Sequence, residues 1–424
     1  MIKILKYCEV NNEEIFARQN DTDNVEKIVS DIISDVKNNG DKALFKYAKE
    51  FDKATLASLE VSKDEIESAF KTVDKEFIRI LERAAENIRE FHSKQVRNSY
   101  IISDKNGVVT GQKITPIDKV GLYVPGGTAA YPSTVLMDSI PAKIAGCKEI
   151  VMVSPPNNNG ESNPVILAAA SVAGVDKIFK VGGAQAVAAL SYGTESIPKV
   201  DKIVGPGNKF VAEAKKQVFG QVSIDMIAGP SEILIIADEK TNPKYAAADL
   251  LSQAEHDKMA SAVLVTNSYE LAENVSREIE KQIPMLDRAD IARASIDNNG
   301  KIIVVDNLRK AIEISNEIAP EHLEICVDNP FDYLDEIKHA GSIFMGRNCP
   351  EALGDYMAGP NHTLPTSGTA RFSSPLSVDD FVKKSQYTYY TKDALKDIAY
   401  DVEYFAKKEG LTAHAKSAVI RLEE

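Results

Sequence analysis

Apolar residues along the first hundred positions recur at helical spacing. Val25, Ile28, Val29, Ile32, Ile33 and Val36 fall at i, i+3 and i+4 steps, the signature of one buried helix face. Asp23 with Glu26 reads as a capping box at the start of that helix, and Gly40 as its stop. A second box, Ser62 with Glu65, opens another helical segment. Residues 74–96 are long, charged and amphipathic. The chain carries no internal repeat and no low-complexity tract.

From Val120 the texture changes. Short β-branched or apolar runs at 120–124, 149–153, 177–181, 201–204 and 233–237 alternate with helical segments, several of them rich in alanine. The alternation resumes at 261–266, 301–305, 323–327 and 342–346. Fully apolar strands alternating with helices predict parallel sheets covered on both faces. So many strands exceed one small sheet, and the pattern predicts two α/β units. The turn-rich stretch 228–243 is the expected return point between them. After Pro375 the chain becomes charged again and reads as a helical arm.

Composition narrows the function classes. The formal charge of −13 over 424 residues lacks the basic stripe that nucleic acid requires. The N-terminus turns polar at once, unlike a signal peptide, and no run approaches the ~18 apolar residues of a membrane span. Cys8, Cys147, Cys326 and Cys349 are scattered without a CxxC pair, as expected of reduced thiols in a cytoplasmic protein.

Chemistry enters with the histidines, of which there are only six. His256 closes Ser-Gln-Ala-Glu-His, three residues after Gln253, at the end of a helical run that begins at Pro243. That spacing puts an amide oxygen and an imidazole on one face, either as half of a metal site or as a solvated polar face. Asp355 and His414 are candidates to complete such a site. Glu321 and His322 follow Pro320 between a helix and a strand. They form either an acid–base pair or a helix-terminal histidine beside a solvated carboxylate. His92 and His339 lie on charged stretches expected to be helical, and no chemistry is assigned to them. Three predicted strands run into glycine, at Val124-Pro-Gly-Gly127, Val181-Gly-Gly183 and Val204-Gly-Pro-Gly-Asn208. None is a dinucleotide fingerprint, so tight turns and a nucleotide crevice both stand as readings.

Taken in order, these motifs resemble one family. Gly-Leu-Tyr-Val-Pro-Gly-Gly (121–127), Val-Gly-Pro-Gly-Asn (204–208), Ala-Gly-Pro-Ser-Glu (228–232) and Ser-Gln-Ala-Glu-His (252–256) are followed by Pro-Glu-His-Leu-Glu (320–324). Gly-Pro-Asn-His-Thr-Leu-Pro-Thr-Ser-Gly-Thr-Ala-Arg (359–371) and Glu-Gly-Leu-Thr-Ala-His (409–414) complete the series. They look like histidinol dehydrogenase from about residue 110 to the C-terminus.

The resemblance implies a zinc enzyme that oxidises L-histidinol to L-histidine through histidinal with two NAD, at the end of histidine biosynthesis. By motif match Gln253, His256, Asp355 and His414 would bind zinc, and Glu321 and His322 would be catalytic. Ser231, His362 and Glu409 would join them in holding substrate, and Tyr123, Gln185 and Asn208 would contact NAD. The implied fold is α/β, two incomplete Rossmann-like parallel-sheet units with a helical N-terminal segment and a C-terminal helical arm. Its expected parts are an arm at 1–23, a zinc and substrate domain at 24–118 plus 236–374, an NAD domain at 119–235, and a dimerisation arm at 375–424. The expected assembly is a homodimer with composite active sites. A paralogous zinc and NAD dehydrogenase of another small polar alcohol is the alternative. The presence of His362, Glu409 and His414 speaks against it.

Overall fold

In the computed structural model, which describes residues 1–16, 25–126 and 130–423, all nine predicted strands form. Five parallel strands make one sheet, in the order Lys177–Lys180, Glu149–Ser154, Lys119–Tyr123, Lys202–Val204, Ser223–Ile224. Six make a second parallel sheet, in the order Lys3–Lys6, Lys301–Val304, Ser261–Thr266, Glu232–Ala237, His322–Cys326, Ser342–Met345. Numbered along the chain within each sheet, leaving aside the N-terminal strand Lys3–Lys6, both run 3-2-1-4-5. That is a Rossmann order lacking its sixth strand. The return between the sheets falls after Ile224 and before Glu232, within or beside the stretch the turn residues marked.

Burial explains the apolar strand runs. In Glu232–Ala237 alternate side chains feed two different cores: Ile233, Ile235 and Ala237 pack on one face, Leu234 and Ile236 on the other. The five-stranded sheet takes its cover partly from the N-terminal helices. Val29, Ile33 and Leu44 share a core with Val151, Phe179 and Ile203. Helix Glu26–Asn39 buries Val29, Ile32, Ile33 and Val36 as the periodicity requires, but Ile28 is exposed on its outer side. Ser62 and Glu65 form the predicted capping box, the Ser62 hydroxyl accepting from Glu65 N and the Glu65 carboxylate from Ser62 N. Asp23, proposed for the other box, and Gly127 of the first glycine turn lie outside the described residues.

The chain divides into two compact units: Met1–Gln95 with Asp118–Phe381, and Val96–Ile117 with Val382–Glu424. The smaller unit corrects the expectation of a purely helical arm. Strand Val382–Tyr390 pairs antiparallel with Val108–Pro116 along its whole length, and Tyr100–Ile102 adds a third strand. Helices Lys392–Lys408 and Thr412–Val419 follow. The first of them buries only Ala394, Ala399 and Ala406 and leaves Tyr400, Tyr404 and Phe405 about two-thirds exposed. The first strand, Lys3–Lys6, likewise replaces part of a segment expected to be helical.

Candidate active site

At the amino edge of the six-stranded sheet, Glu232 and His322 are the first residues of neighbouring parallel strands, in register His322 to Ile233. The backbone of a first strand residue has groups that the ladder leaves for side chains. Here the next strand uses both. Glu321 Oε2 accepts from Glu232 N at 2.8 Å, and His322 Nδ1 meets the Glu232 carbonyl at 3.0 Å. A carbonyl only accepts, so Nδ1 carries the proton and Nε2 is left with the free lone pair. The ring is thereby fixed as a base at Nε2.

Electrostatics agree with that assignment. Burial takes His322 down to about 4, against the opposing pull of the Asp355 carboxylate, so the imidazole is neutral near pH 7. Glu321 is buried beside it, with 3.7 Å between its Oε2 and His322 Nδ1. Burial raises the Glu321 carboxyl well above its ordinary value, although the Glu232 N–H bond favours the anion. A neutral imidazole beside a carboxyl poised away from its usual range is the arrangement acid–base work needs.

Two further elements reach the same place. Helix Pro243–Ala254 starts where Asn242 caps it and ends with Gln253 buried. His256 lies one residue past the C-cap, in the turn, its N–H bonded to the Gln253 carbonyl at 3.1 Å. It is therefore not on the helix, as the spacing suggested. The short helix Glu351–Tyr356 presents Glu351 and Asp355 at i, i+4. Ligand atoms of His322, Glu351 and Asp355 lie within 4.8 Å of one another. His362 Nδ1 stands 3.5 Å from Asp355 Oδ1. Burial resists ionisation of Asp355, but the His362 and His322 imidazoles outweigh it and bring the carboxyl down to about 2. Burial and then the Asp355 charge push Glu351 the other way, up to about 8.

Glu351 was not singled out from the sequence. Its four-residue spacing from Asp355 was the available signal. Its carboxylate accepts from the Ser252 hydroxyl at 2.8 Å, and its N–H bonds Glu324 Oε1 at 2.7 Å. Glu324 is itself fully buried. So many buried carboxyls in one place call for protons or a cation. Gln253 points the same way, since its buried amide oxygen has no hydrogen-bond partner. An orphaned amide oxygen, the half-buried His256 and an ionised Asp355 form a donor set that suits zinc. The half-buried Ser231 immediately precedes Glu232. Glu409 and His414 belong to the smaller unit and are exposed there.

The predicted cofactor residues lie elsewhere, at the carboxyl edge of the five-stranded sheet. Tyr123 ends its strand, and its buried hydroxyl accepts from Gly183 N at 3.0 Å. Gly183, at φ +66°, opens the helix that carries the buried Gln185. Asn208 is exposed and caps the next helix, its Oδ1 accepting from Phe210 N and Val211 N. Strand order reverses between Lys119–Tyr123 and Lys202–Val204, where an open α/β sheet forms its ligand crevice. The remaining histidines stay outside these sites. His92 is buried in the last turn of helix Lys75–Ser93, its Nδ1 2.7 Å from Gln95 Oε1. His339 lies on a bend and not on a helix.

Comparison with known proteins decides the family. The sequence model described as histidinol dehydrogenase matches residues 16–422. This chain belongs to the histidinol dehydrogenase family. A histidinol dehydrogenase of Clostridium acetobutylicum is 58% identical over 426 residues, 99% of each chain. One from Bacillus cereus strain ATCC 14579 is 55% identical over 400 residues, 94% of this chain and 93% of that one. A solved structure, histidinol dehydrogenase from Elizabethkingia anophelis, superposes with a TM-score of 0.95 at 41% identity, covering 100% of this chain and 98% of the other. Membership makes the chain an oxidoreductase and confirms the resemblance read from the ordered motifs. No described helix is long and apolar enough to cross a membrane.

Proposed function

We propose that this chain oxidises L-histidinol to L-histidine through histidinal, passing two hydrides in turn to two NAD. The observation that carries the reading is the Glu321–His322 pair held on the backbone of Glu232, beside the donors Gln253, His256 and Asp355. In this reading Gln253, His256, Asp355 and His414 hold zinc. When bound, the zinc supplies a Lewis-acidic anchor for the nitrogens of the substrate. NAD supplies the hydride acceptor, against Tyr123, Gln185 and Asn208.

The chain's own residues move the protons. An alcohol loses a hydride from carbon only as its hydroxyl proton leaves, and His322 Nε2 is the free lone pair that takes that proton. The products of the first step are the aldehyde, a reduced cofactor and a proton. In the second step Glu321 draws a proton from water as its oxygen bonds the aldehyde carbon, and the carbonyl oxygen takes back the proton that His322 Nε2 gained in the first step, giving a hydrated aldehyde. His322 takes the hydroxyl proton again as the second hydride departs, and the carboxylic acid remains. Asp355, ionised between two imidazoles, and His362, Ser231 and Glu409 orient the substrate.

The six-stranded sheet serves zinc and substrate, the five-stranded sheet serves NAD, and residues 375–424 serve dimerisation. Exposed Tyr400, Tyr404 and Phe405 support that last role, because an arm with such a surface gains by docking on a second copy. In the homodimer His414 and Glu409 complete the partner's site, so each site is composite. The test is stoichiometric. Two NADH per histidinol consumed are expected, followed at 340 nm with histidine quantified; one NADH with histidinal accumulating would overturn the four-electron reading.

A further inference from the structure

Because both parallel sheets share the order 3-2-1-4-5, each has a crevice where the strand order reverses. In the six-stranded sheet that crevice opens between the carboxyl ends of Glu232–Ala237 and His322–Cys326. This is the edge opposite Glu321 and His322, and the proposed reaction makes no use of it. A cavity of about 540 Å³ lies there, lined among others by Lys240, Tyr245, Asp328, Met345 and Arg347. Its size falls within the usual range for a small-molecule site.

Two cations form a fork at this cavity. Arg347 is anchored from behind by the buried Asp238, whose two oxygens both accept from its NH2 nitrogen, and by Thr241 Oγ1 at 3.3 Å. Its other terminal nitrogen and the Lys240 ammonium both hold the Asp328 carboxylate. Asp328 is 51% exposed and Lys240 62% exposed. Half exposed, this carboxylate is screened by solvent, so an incoming anion of higher charge can exchange with it. Asp328 thus marks a built anion position with an internal occupant. A phosphate carries more charge than a carboxylate, so it gains more from Arg347 Nη1 and the Lys240 ammonium. Beside the fork stands the Tyr245 ring, 55% exposed, with the apolar side chain of Met345 also lining the cavity.

We infer that this crevice is a second ligand site that takes a nucleoside monophosphate, its phosphate in the Lys240–Arg347 fork in place of Asp328 and its base against Tyr245 and Met345. Binding swings Asp328 out to solvent and leaves the Arg347–Asp238 pair intact. The site lies on the edge of the sheet away from the catalytic pair, so its occupant does not compete with the substrate.

The probe is adenosine 5′-monophosphate, titrated calorimetrically into the full-length chain with NAD held saturating so that the cofactor crevice is filled. One bound nucleotide per chain is expected under those conditions. Lys240→Ala and Tyr245→Ala should each weaken it about fivefold or more, the loss of one good polar or stacking contact. Asp328→Asn should tighten it several-fold, because the fork loses its internal anion. Adenosine without phosphate should show no measurable binding. Thermal melting of each variant checks the fold, and the opposite sign expected for Asp328→Asn cannot come from general damage. No binding once NAD is saturating, or an Asp328→Asn variant that binds no tighter than wild type, would overturn the inference. A chain that fails to take up NAD would show this in its own NAD titration, separately from the nucleotide arms.

Discussion

In the five-stranded sheet the residues proposed to meet the cofactor end their strands or follow the carboxyl ends. In the six-stranded sheet the acid–base residues precede or begin theirs. The strand order is the same, so topology alone does not select the working edge. The local backbone does. After Val204 the chain turns through Gly205 at φ +111°, and a Cβ there would lie 2.1 Å from the Tyr123 carbonyl, so only glycine lets the loop pass. Loops so closely packed, followed by capped helix starts, give an edge suited to binding. At the other sheet's amino edge, Glu232 instead offers its N–H and carbonyl to Glu321 and His322. Side chains pinned to a strand's own backbone keep the fixed tautomer and geometry that proton transfer needs.

The comparison breaks most visibly at His322. His322→Asn keeps a side chain able to donate to the Glu232 carbonyl but removes the basic Nε2. It should slow both half-reactions by about 10²–10⁴-fold, the usual contribution of a general base, with histidinol and histidinal oxidation assayed separately. A loss confined to one half-reaction would contradict the role given to Nε2.

A smaller effect is expected on the binding edge. Asn208→Ser retains an oxygen that can cap helix Lys209–Val218 but removes the amide. The KM for NAD should rise about fivefold, one hydrogen bond's worth, with kcat near wild type and thermal stability nearly unchanged. Steady-state kinetics with NAD varied would check this, and an unchanged KM would take Asn208 out of the cofactor site.

The smallest effect on turnover concerns the floor of that edge. Asp138 is fully buried in helix Pro132–Ala145, with Oδ1 bonded to the Thr363 hydroxyl at 2.8 Å and Oδ2 without a partner. Burial pushes its carboxyl up to about 7, with Thr363 opposing and the Asp225 charge adding. A folded-state value above the unfolded one means the native protein binds the extra proton, so this residue's contribution to stability declines as pH rises from about 4 to about 7. Asp138→Asn should remove that slope, and denaturant melts across the window should show the variant gaining on wild type as pH rises. A constant difference would mean that Asp138 titrates normally.

Much of this was legible in the chain because the signals were local. Buried parallel strands are apolar along their whole length, and alternating helices set their spacing, so all nine were visible. Strand Val382–Tyr390 was not. It is exposed on nearly every residue and carries no inward-facing apolar series, and its partner Val108–Pro116 lies more than 250 residues away in sequence. Lys3–Lys6 is too short to show a period and pairs with Lys301–Val304 across most of the chain. At the site, motif spacing marked Gln253, His256 and Asp355, but not that His256 lies beyond the helix end. Glu351 and Glu324 were hidden because a carboxylate in an ordinary acidic segment looks solvated; only the fold shows Glu351 buried beside His322 and Asp355, with the buried Glu324 accepting from its N–H.

The central claim is that one edge holds two groups with different tasks, His322 for the hydroxyl proton and Glu321 for water. Glu321→Gln tests it most directly, because the amide can still accept from Glu232 N while losing its basicity. Single-turnover rates for histidinol and for histidinal should separate. Alcohol oxidation is expected within about threefold of wild type, and aldehyde oxidation is expected to fall by about 10²-fold or more, the contribution of one general base. Equal losses in the two half-reactions would show that Glu321 does not serve the water step alone, and the division of labour would fail.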